Sequence, residues 1–276
     1  MNQPLILQCP AKLNLTLEVL SRKSNGMHEI SSHFQLIDLF DQVTIQKTDN
    51  QFSSVKTNAL VNIDNENNIA FKAIEALSKL MNRDISCDIF IEKNIPMGGG
   101  LGGGSSNAAA VLIGINTLFA LKLNIDELMR IGSKIGADVP FFIFGRTALA
   151  KGIGDKLEET KCESKKFLVI APNIHSSTKD MFLKWDSLNE QMMLRSIPKN
   201  ENSFLRIFLE QKPEVREIYE ELSEITPLRL SGTGSTFFCT YNEEVEIEKT
   251  LKKIPTKWRH FFCEPLQCSP LLKYIK

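Results

Sequence analysis

Six of the seven residues from Gly98 to Gly104 are glycine, and no other segment of the 276-residue chain has such a composition. A turn that needs one positive φ angle requires only one glycine, so a double triplet indicates that something approaches the backbone closely. Successive N–H groups in such a loop form a concave anion site, to which the positive end of a following helix adds. The loop therefore predicts a phosphate-binding site.

The residues on either side of the glycine loop support this interpretation. An alternating strand precedes it at residues 87–92, and an apolar run over residues 107–121 predicts a helix directly after it. Ser105, Ser106 and Asn107 stand where they could cap that helix or hydrogen-bond a phosphate oxygen or a metal ion. A hinge or a close-packed turn without a ligand is the alternative for any glycine cluster, but these neighbours favour phosphate.

Other nucleotide-binding motifs fit the loop poorly. Gly98, Gly100 and Gly103 satisfy the dinucleotide fingerprint formally, but no acidic residue ends a strand about 20 residues later. No lysine follows the glycines as a P-loop requires, and the HRD and DFG signatures of protein kinases are missing. The fold that carries the loop must therefore be found from the rest of the chain.

The first 150 residues predict a mixed arrangement of strands and helices. Residues 4–20 are expected to form a hairpin-like pair of strands interrupted at residues 10–12, followed by a turn at residues 24–28. The later elements are a strand at residues 42–48, a helix over residues 67–80 capped by Asn67 or Asn68, a helix from the capping box of Asn124 and Glu127 to Gly136, and strands at residues 141–144 and 147–150.

A charged stretch at residues 158–166 predicts a boundary between a domain of residues 1–160 and a domain of residues 161–276. The second half is expected to contain a strand at residues 167–171, helices at residues 178–185, 202–210, 214–223 and 243–253, and strands at residues 236–241 and near Phe261. Helices that follow strands in this way indicate an α+β layer.

The composition excludes several classes of partner. Thirty-three basic residues balance thirty-three acidic ones, so no net field attracts nucleic acid or an anionic membrane. No apolar window is long enough to span a bilayer and the first nine residues do not form a signal peptide, so we expect a cytoplasmic protein. The six cysteines lack zinc-site spacing and are expected to be free thiols.

Three separated motifs, in this order, resemble those of the GHMP kinases. They are PAKLNL at residues 10–15, PMGGGLGGGSSNAA at residues 96–109 and LSGTGST at residues 230–236, and the resemblance extends from residue 8 to about residue 270. It implies an α+β, two-lobed fold with an N-terminal, ribosomal-protein-S5-like ATP-binding domain and a C-terminal, ferredoxin-like α/β layer domain. The last strand is a candidate to return to the N-terminal domain.

The first two motifs, together with IGADVP at residues 135–140, look like one branch of these kinases. This resemblance implies transfer of the γ-phosphoryl group of ATP, bound with Mg²⁺, to the 2-hydroxyl of a cytidine-diphosphate-linked methylerythritol in the non-mevalonate route to isoprenoids. It implies a small-molecule partner, no nucleic acid or membrane, and a monomer or weak homodimer. A GHMP kinase for homoserine, mevalonate or a sugar, and a regulatory nucleotide-binding protein without catalysis, are the alternatives.

The same resemblance assigns roles to individual residues. Asp138 is the expected general base and Lys12 its cationic partner; a helix-terminating aspartate and a surface lysine would be the ordinary interpretations of either residue alone. Ser105 or Ser106 is the candidate Mg²⁺ ligand. The expected ATP-binding residues are Pro96, Met97, Gly98, Gly99, Gly100, Leu101, Gly102, Gly103, Gly104, Ser105, Ser106 and Asn107.

The expected acceptor-binding residues are Asn14, Met27, His28, Phe34, Phe182, Gly232, Thr233 and Gly234. A core position is the commoner fate of a phenylalanine, and a plain turn that of the two glycines. His28 is expected to present a donor and an acceptor to a base edge. Met27 is a departure, because the family usually has tyrosine there, and Lys179 lies where a less polar residue is expected.

Overall fold

Two long antiparallel strands, β1 (Leu5–Arg22) and β2 (His28–Lys47), form the centre of the N-terminal sheet. The computed structural model describes residues 3–50, 52–59, 68–190 and 202–275. The predicted turn at residues 24–28 joins the two strands, but β1 runs through Pro10 unbroken, so the predicted hairpin within residues 4–20 is wrong. The strand register shifts between Pro10 and Ala11, and such an irregularity accommodates a residue without an N–H group.

Five further strands of the described part of the chain join this sheet: β3 (Ser54–Thr57), β4 (Cys87–Glu92), β5 (Ala148–Lys151), β6 (Lys156–Glu159) and β11 (Pro265–Leu266). The hydrogen-bonded order is β3-β4-β2-β5-β6, and β1 and β11 also pair with β2. Because β11 comes from the end of the chain, the C-terminal residues pack beside the N-terminal sheet.

The helices that pack with this sheet are α1 (Ile69–Met81), α2 (Gly103–Leu118), α3 (Ile125–Ile135) and α4 (Val139–Phe144). The capping box at Asn124 and Glu127 is confirmed, and Asn68 caps α1, whereas Asn67 lies outside the described residues. The predicted start of α2 at residue 107 is too late, because the last two glycines of the loop already form its first turn. The helix dipole therefore begins within the glycine loop.

The apolar segment that contains Phe141 is α4, so its prediction as a strand is wrong. Five of the six helical residues are buried, and a short segment that is apolar on every side shows no helical period. Pro140 in the first turn and Gly145 after the last are the ordinary signals of a helix that begins and ends here. The predicted strand at residues 147–150 is confirmed as β5.

The strands of the second sheet are β7 (Lys166–Ala171), β8 (Arg229–Leu230), β9 (Phe237–Tyr241) and β10 (Arg259–Cys263). This sheet is antiparallel and has the order β10-β7-β9-β8 among the described residues. The accompanying helices are α5 (Thr178–Glu190), α6 (Leu205–Gln211), α7 (Pro213–Ile225) and α8 (Glu248–Leu251), and 3₁₀ turns cover Glu244–Glu246 and Pro270–Tyr274. The helix predicted at residues 243–253 is thus a 3₁₀ turn followed by the short α8.

An apolar seam connects the two sheets. Ala11, Leu13 and Leu15 point from one face of β1 into a buried cluster that also contains Phe167 of β7 and Phe238 of β9. Alternation along a strand then places Lys12 and Asn14 on the opposite face. The domain boundary at residues 160 and 161, which lies between β6 and β7, stays a prediction.

All six cysteines are free, as predicted, and four of them are buried. Within the described ranges, no helix combines the length and apolar character that crossing a bilayer requires.

A buried carboxylate, Asp41 on β2, connects the sheet to the segment that leads into the glycine loop. Its Oδ1 accepts hydrogen bonds from the backbone N–H groups of Asn94 (2.7 Å) and Ile95 (2.9 Å). Its Oδ2 accepts from the Lys93 ammonium and from the Asn107 side-chain amide (3.0 Å). Both oxygens are therefore fully used, and the Lys93 charge is compensated in a site with little access to water.

Replacing Asp41 by alanine should destabilise the fold strongly, because it leaves the mostly buried Lys93 ammonium without its compensating charge and two backbone amides without an acceptor. Loss of one partner of a buried pair costs about 3–5 kcal/mol. The measurement is the apparent free energy of unfolding from urea titration followed by circular dichroism. The exposed Asp49→Ala is the matched control and should change it by less than about 0.5 kcal/mol. Equal effects of the two substitutions would contradict the role given to Asp41.

Candidate active site

A cavity of about 860 Å³ opens beside the glycine loop, and β1, the turn between β1 and β2, and helix α5 also line it. This volume is in the range of sites that enclose a small molecule or a cofactor. The predicted residues that line it are Lys12, Asn14, Met27, His28, Phe34, Pro96, Met97, Gly98, Gly99, Gly100, Leu101, Gly102, Gly103, Gly104, Ser105, Asn107, Asp138, Phe182, Gly232 and Thr233. The fold therefore brings all three motifs to one site.

Lys12 and Asp138 face each other across this cavity, with the lysine Nζ 3.7 Å from the aspartate Oδ2. Lys12 is buried on β1, whereas the Asp138 side chain is one-third exposed at the start of α4. The Lys12 ammonium also donates to Oδ1 of Asn14, and the Asn14 amide donates to the Ser32 hydroxyl (2.8 Å). This chain of hydrogen bonds holds the ammonium at the cavity wall.

The surroundings of Lys12 weaken its hold on the proton. Burial lowers the pKa of Lys12 below the ordinary lysine value, and the nearby Asp138 carboxylate partly opposes that shift. The ring of Phe34 lies under the ammonium, with its centroid 5.0 Å from Nζ, and contacts Phe141 edge-on. Phe34 is almost completely buried, so it supports Lys12 from the core rather than presenting a free face to a ligand.

The backbone of the glycine loop packs closely against the rest of the site. A Cβ atom at Gly100, which has a φ angle of +78°, would lie 2.2 Å from the carbonyl oxygen of Ser231. At Gly102, which has a φ angle of +72°, it would lie 2.6 Å from the Phe142 ring and 3.2 Å from the Cγ atom of Lys12. At these two positions the close neighbour is thus the protein itself, and a side chain at either would push Lys12 or Ser231 away.

The polar residues after the loop occupy different environments. Ser105 lines the cavity, whereas Ser106 is buried outside the lining and its hydroxyl has no hydrogen-bond partner in the part of the chain that the structure describes. Asn107 lines the cavity, but its side chain already accepts from Lys93 Nζ (2.9 Å) and donates to Asp41. Asn107 therefore supports the loop through Lys93 and Asp41.

The third motif closes the site from the C-terminal half. The Ser231 hydroxyl donates to the Gly100 carbonyl (3.1 Å) and accepts from the backbone N–H of Asn14 (3.2 Å), so one buried oxygen touches all three motifs. Gly232 and Thr233 line the cavity. Gly234 lies outside the lining and packs against the Phe208 ring.

The far end of the cavity is formed by the β1–β2 turn and by α5. Met27 is 44% exposed at the rim, and the buried His28 ring stacks on Phe182 with centroids 4.6 Å apart. Lys179 also lines this end. The His28 Nε2 atom lies 2.6 Å from Oδ1 of Asp186, so the ring cannot offer both of its nitrogens to a ligand as predicted.

Several cavity residues were absent from the sequence-based assignment. Asp186 could have been suspected from its position four residues after Phe182 on a predicted helix, although that helix was expected to end at Trp185. Arg22, Lys93 and Asn68 also line the cavity. No motif distinguishes these three from ordinary surface or capping residues, because long-range packing brings them to the site.

The arrangement suits phosphoryl transfer to a hydroxyl group. A carboxylate at the cavity surface can accept a proton, the adjacent ammonium can offset negative charge, and the loop N–H groups with the start of α2 can bind phosphates. Among the described residues, no three His, Cys, Asp or Glu side chains come together as a metal site.

Comparison with known proteins agrees with this geometry. Residues 68–146 match the family model of the GHMP kinases N terminal domain, and residues 184–260 match that of the GHMP kinases C terminal. A homoserine kinase from Cytophaga hutchinsonii shares the fold with a TM-score of 0.71 at 14% identity, over 97% of this chain and 96% of that one. The two-domain α+β fold expected from the motifs is thereby confirmed.

More similar proteins share one name. A 4-diphosphocytidyl-2-C-methyl-D-erythritol kinase of Hahella chejuensis is 34% identical over 100% of this chain and 98% of its own length. Its counterpart from Acinetobacter baylyi is 35% identical over 96% and 97%. A solved 4-(cytidine 5'-diphospho)-2C-methyl-D-erythritol kinase has a TM-score of 0.75 at 25% identity over 94% of this chain and 98% of that one. The chain belongs to the 4-diphosphocytidyl-2-C-methyl-D-erythritol kinase family of the GHMP kinases.

Proposed function

We propose that this chain transfers the γ-phosphoryl group of ATP to the 2-hydroxyl of 4-diphosphocytidyl-2-C-methyl-D-erythritol, a step toward isoprenoid precursors. The observation that carries this proposal is the buried Lys12 facing Asp138 across 3.7 Å beside the glycine loop. A regulatory protein that only binds nucleotide needs the loop but not this pair. Membership of the family supports the choice of acceptor over homoserine, mevalonate or a sugar.

In this proposal the cavity holds both substrates, with ATP along the glycine loop. The loop N–H groups and the first turn of α2 receive the phosphates, and the cytidine end of the acceptor lies toward Met27, His28 and Phe182. The acceptor hydroxyl then lies between Asp138 and the γ-phosphoryl group. Bound substrates that fill the cavity displace water, which would otherwise compete with the acceptor for the phosphoryl group.

Asp138 and Lys12 have different roles in the transfer. Asp138 accepts the hydroxyl proton as the new O–P bond forms and the bond to the ADP oxygen breaks. Lys12 donates hydrogen bonds toward the acceptor oxygen and the transferred group, so its charge offsets the negative charge that develops there. Asn14 keeps the ammonium in place through its side-chain oxygen.

Mg²⁺ accompanies ATP in this proposal and supplies charge neutralisation at the phosphate oxygens. The residues present fit such an ion, because Mg²⁺ bound through a nucleotide keeps several waters and needs few protein ligands. Ser105, whose side chain belongs to the first turn of α2 and lines the cavity, is the better candidate to contact it than the buried Ser106.

Asp138→Asn should abolish most of the transfer, because an amide cannot accept the hydroxyl proton. Loss of a general base lowers kcat by about 10²- to 10⁴-fold, with little change in ATP binding. The measurement is transfer of labelled γ-phosphate from ATP with Mg²⁺ to the diphosphocytidyl acceptor, run beside mevalonate, homoserine and galactose. Asp126→Asn, an exposed carboxylate on α3, is the control and should behave as wild type. Wild-type transfer to a different acceptor would overturn the proposed substrate.

The rate of transfer should fall as the pH becomes alkaline, and this fall should occur at lower pH than the titration of an ordinary lysine. Burial lowers the pKa of Lys12, so the side chain is fully protonated at low pH and loses its charge as the pH rises through that lowered value. Lys12→Arg should be slower but should lack this alkaline decline, since arginine stays protonated. The measurement is kcat/KM against pH, which reports the free enzyme, for both proteins and for the exposed control Lys56→Arg, with folding followed by circular dichroism. An identical decline in Lys12→Arg would remove Lys12 as its source.

Met27→Tyr should strengthen binding of the acceptor, because an aromatic ring gives the cytosine a stacking surface that a thioether matches less well. Stacking of a base on an aromatic side chain contributes about 1–3 kcal/mol. We expect the acceptor KM to fall by up to about tenfold while the KM for ATP is unchanged. Leu80→Tyr, at an exposed position on α1 outside the cavity lining, is the control for added aromatic surface. An unchanged acceptor KM would show that the base does not contact residue 27.

A further inference from the structure

Asp186 lies on the face of α5 that borders the cavity. It follows Phe182 by four residues, so the two side chains are neighbours on the helix surface, and both line the far end of the cavity. Its side chain is only 13% exposed. A mostly buried carboxylate is costly unless charged or hydrogen-bonding groups compensate it, so its contacts indicate its role.

The carboxylate of Asp186 joins three segments that meet only in the folded protein. Oδ1 lies 2.6 Å from His28 Nε2 at the start of β2, and Oδ2 lies 3.4 Å from Arg22 Nη1 at the end of β1. Both partners flank the turn that carries Met27. Asp186 therefore connects this turn to the helix that carries Phe182, and these are the two elements that form the far end of the cavity.

The His28 ring is enclosed by the same helix. It stacks on Phe182 with 25° between the ring planes, and Trp185 contacts it edge-on with centroids 5.6 Å apart. Its side chain is 7% exposed. Without Asp186 the Nε2 atom would be left in an apolar setting without a partner, and the ring would have to rotate or move to regain one.

The contact also decides which ring atom is available to a ligand. An ionised carboxylate only accepts hydrogen bonds, so Nε2 carries the proton that lies between His28 and Asp186. In neutral imidazole this leaves Nδ1 as an acceptor. The chemical character that His28 presents in the cavity therefore depends on Asp186.

We propose that Asp186 is a positioning residue for the acceptor: it fixes the orientation and tautomer of His28 and holds the β1–β2 turn next to α5. The role is in acceptor binding and leaves the phosphoryl-transfer end of the cavity untouched. This inference rests on the proposed function, because it concerns binding of that function's acceptor.

The test compares Asp186→Ala and Asp186→Asn with the control Asp180→Asn, an exposed carboxylate on the same helix. A charge-assisted hydrogen bond contributes about 1.5–3 kcal/mol, so the alanine variant should raise the acceptor KM about 10- to 100-fold. The KM for ATP and kcat at saturating acceptor should stay within about twofold of wild type. The asparagine variant should recover part of the loss, because its amide oxygen still accepts from Nε2–H. If the alanine variant does not fold by circular dichroism, the asparagine variant carries the test.

A double-mutant cycle separates action through His28 from a general effect on folding. In a His28→Ala background, Asp186→Ala should raise the acceptor KM much less than it does in the wild type, because only the contact with Arg22 remains to be lost. Three results would each overturn this inference: additive effects of the two substitutions, an unchanged acceptor KM in Asp186→Ala, or an equal rise in the KM for ATP. The proposed function would still stand in these cases, provided that the wild-type protein phosphorylates the diphosphocytidyl acceptor. Failure of the wild-type protein to phosphorylate the diphosphocytidyl acceptor would overturn the proposed function and this inference together.

Discussion

The site depends on one buried hydroxyl, that of Ser231, which touches all three motifs. It donates to the Gly100 carbonyl and accepts from the backbone N–H of Asn14. Two residues earlier on β1, the backbone N–H of Lys12 donates to the Leu101 carbonyl at 3.0 Å. Each of these hydrogen bonds has a backbone group on at least one side, so a side chain at the central glycines would separate the segments. The position of Lys12 relative to the glycine loop is thus set by its main-chain hydrogen bond to Leu101 and by the buried Ser231 hydroxyl.

Asp41 and Lys12 are both buried charges near the glycine loop, but they differ in how fully their neighbours compensate them. Asp41 is fully hydrogen-bonded and compensated by Lys93, so this pair stabilises the segment before the loop and leaves little charge to act on a ligand. Lys12 is buried with one close amide acceptor and a more distant carboxylate, Asp138. Its charge is only partly compensated, and a buried, partly compensated cation is suited to bind negative charge that develops during a reaction.

Local chemistry made part of this arrangement predictable. Clustered glycines, the capping box at Asn124 and the alternation of β4 are decided by a few neighbouring residues, and the structure agrees with each of them. The two-domain GHMP kinase fold followed from three motifs in order, because together they are too specific to arise by chance. The residues named from those motifs mostly line one cavity, with Ser106 and Gly234 outside its lining.

By itself, then, the sequence determined the position of the glycine loop before a helix, the fold family and the pairing of Lys12 with Asp138, because short motifs carry that information. Only the tertiary structure decided that β1 continues through Pro10, that the apolar segment after Asp138 is a helix, and that Asn107 is engaged by Asp41 and Lys93. It alone brought Asp186 to His28 across 158 positions of sequence. The physical reason is that these features arise from packing between distant segments, and a fully apolar run or a lone carboxylate has no local signal of the partner that will cover it.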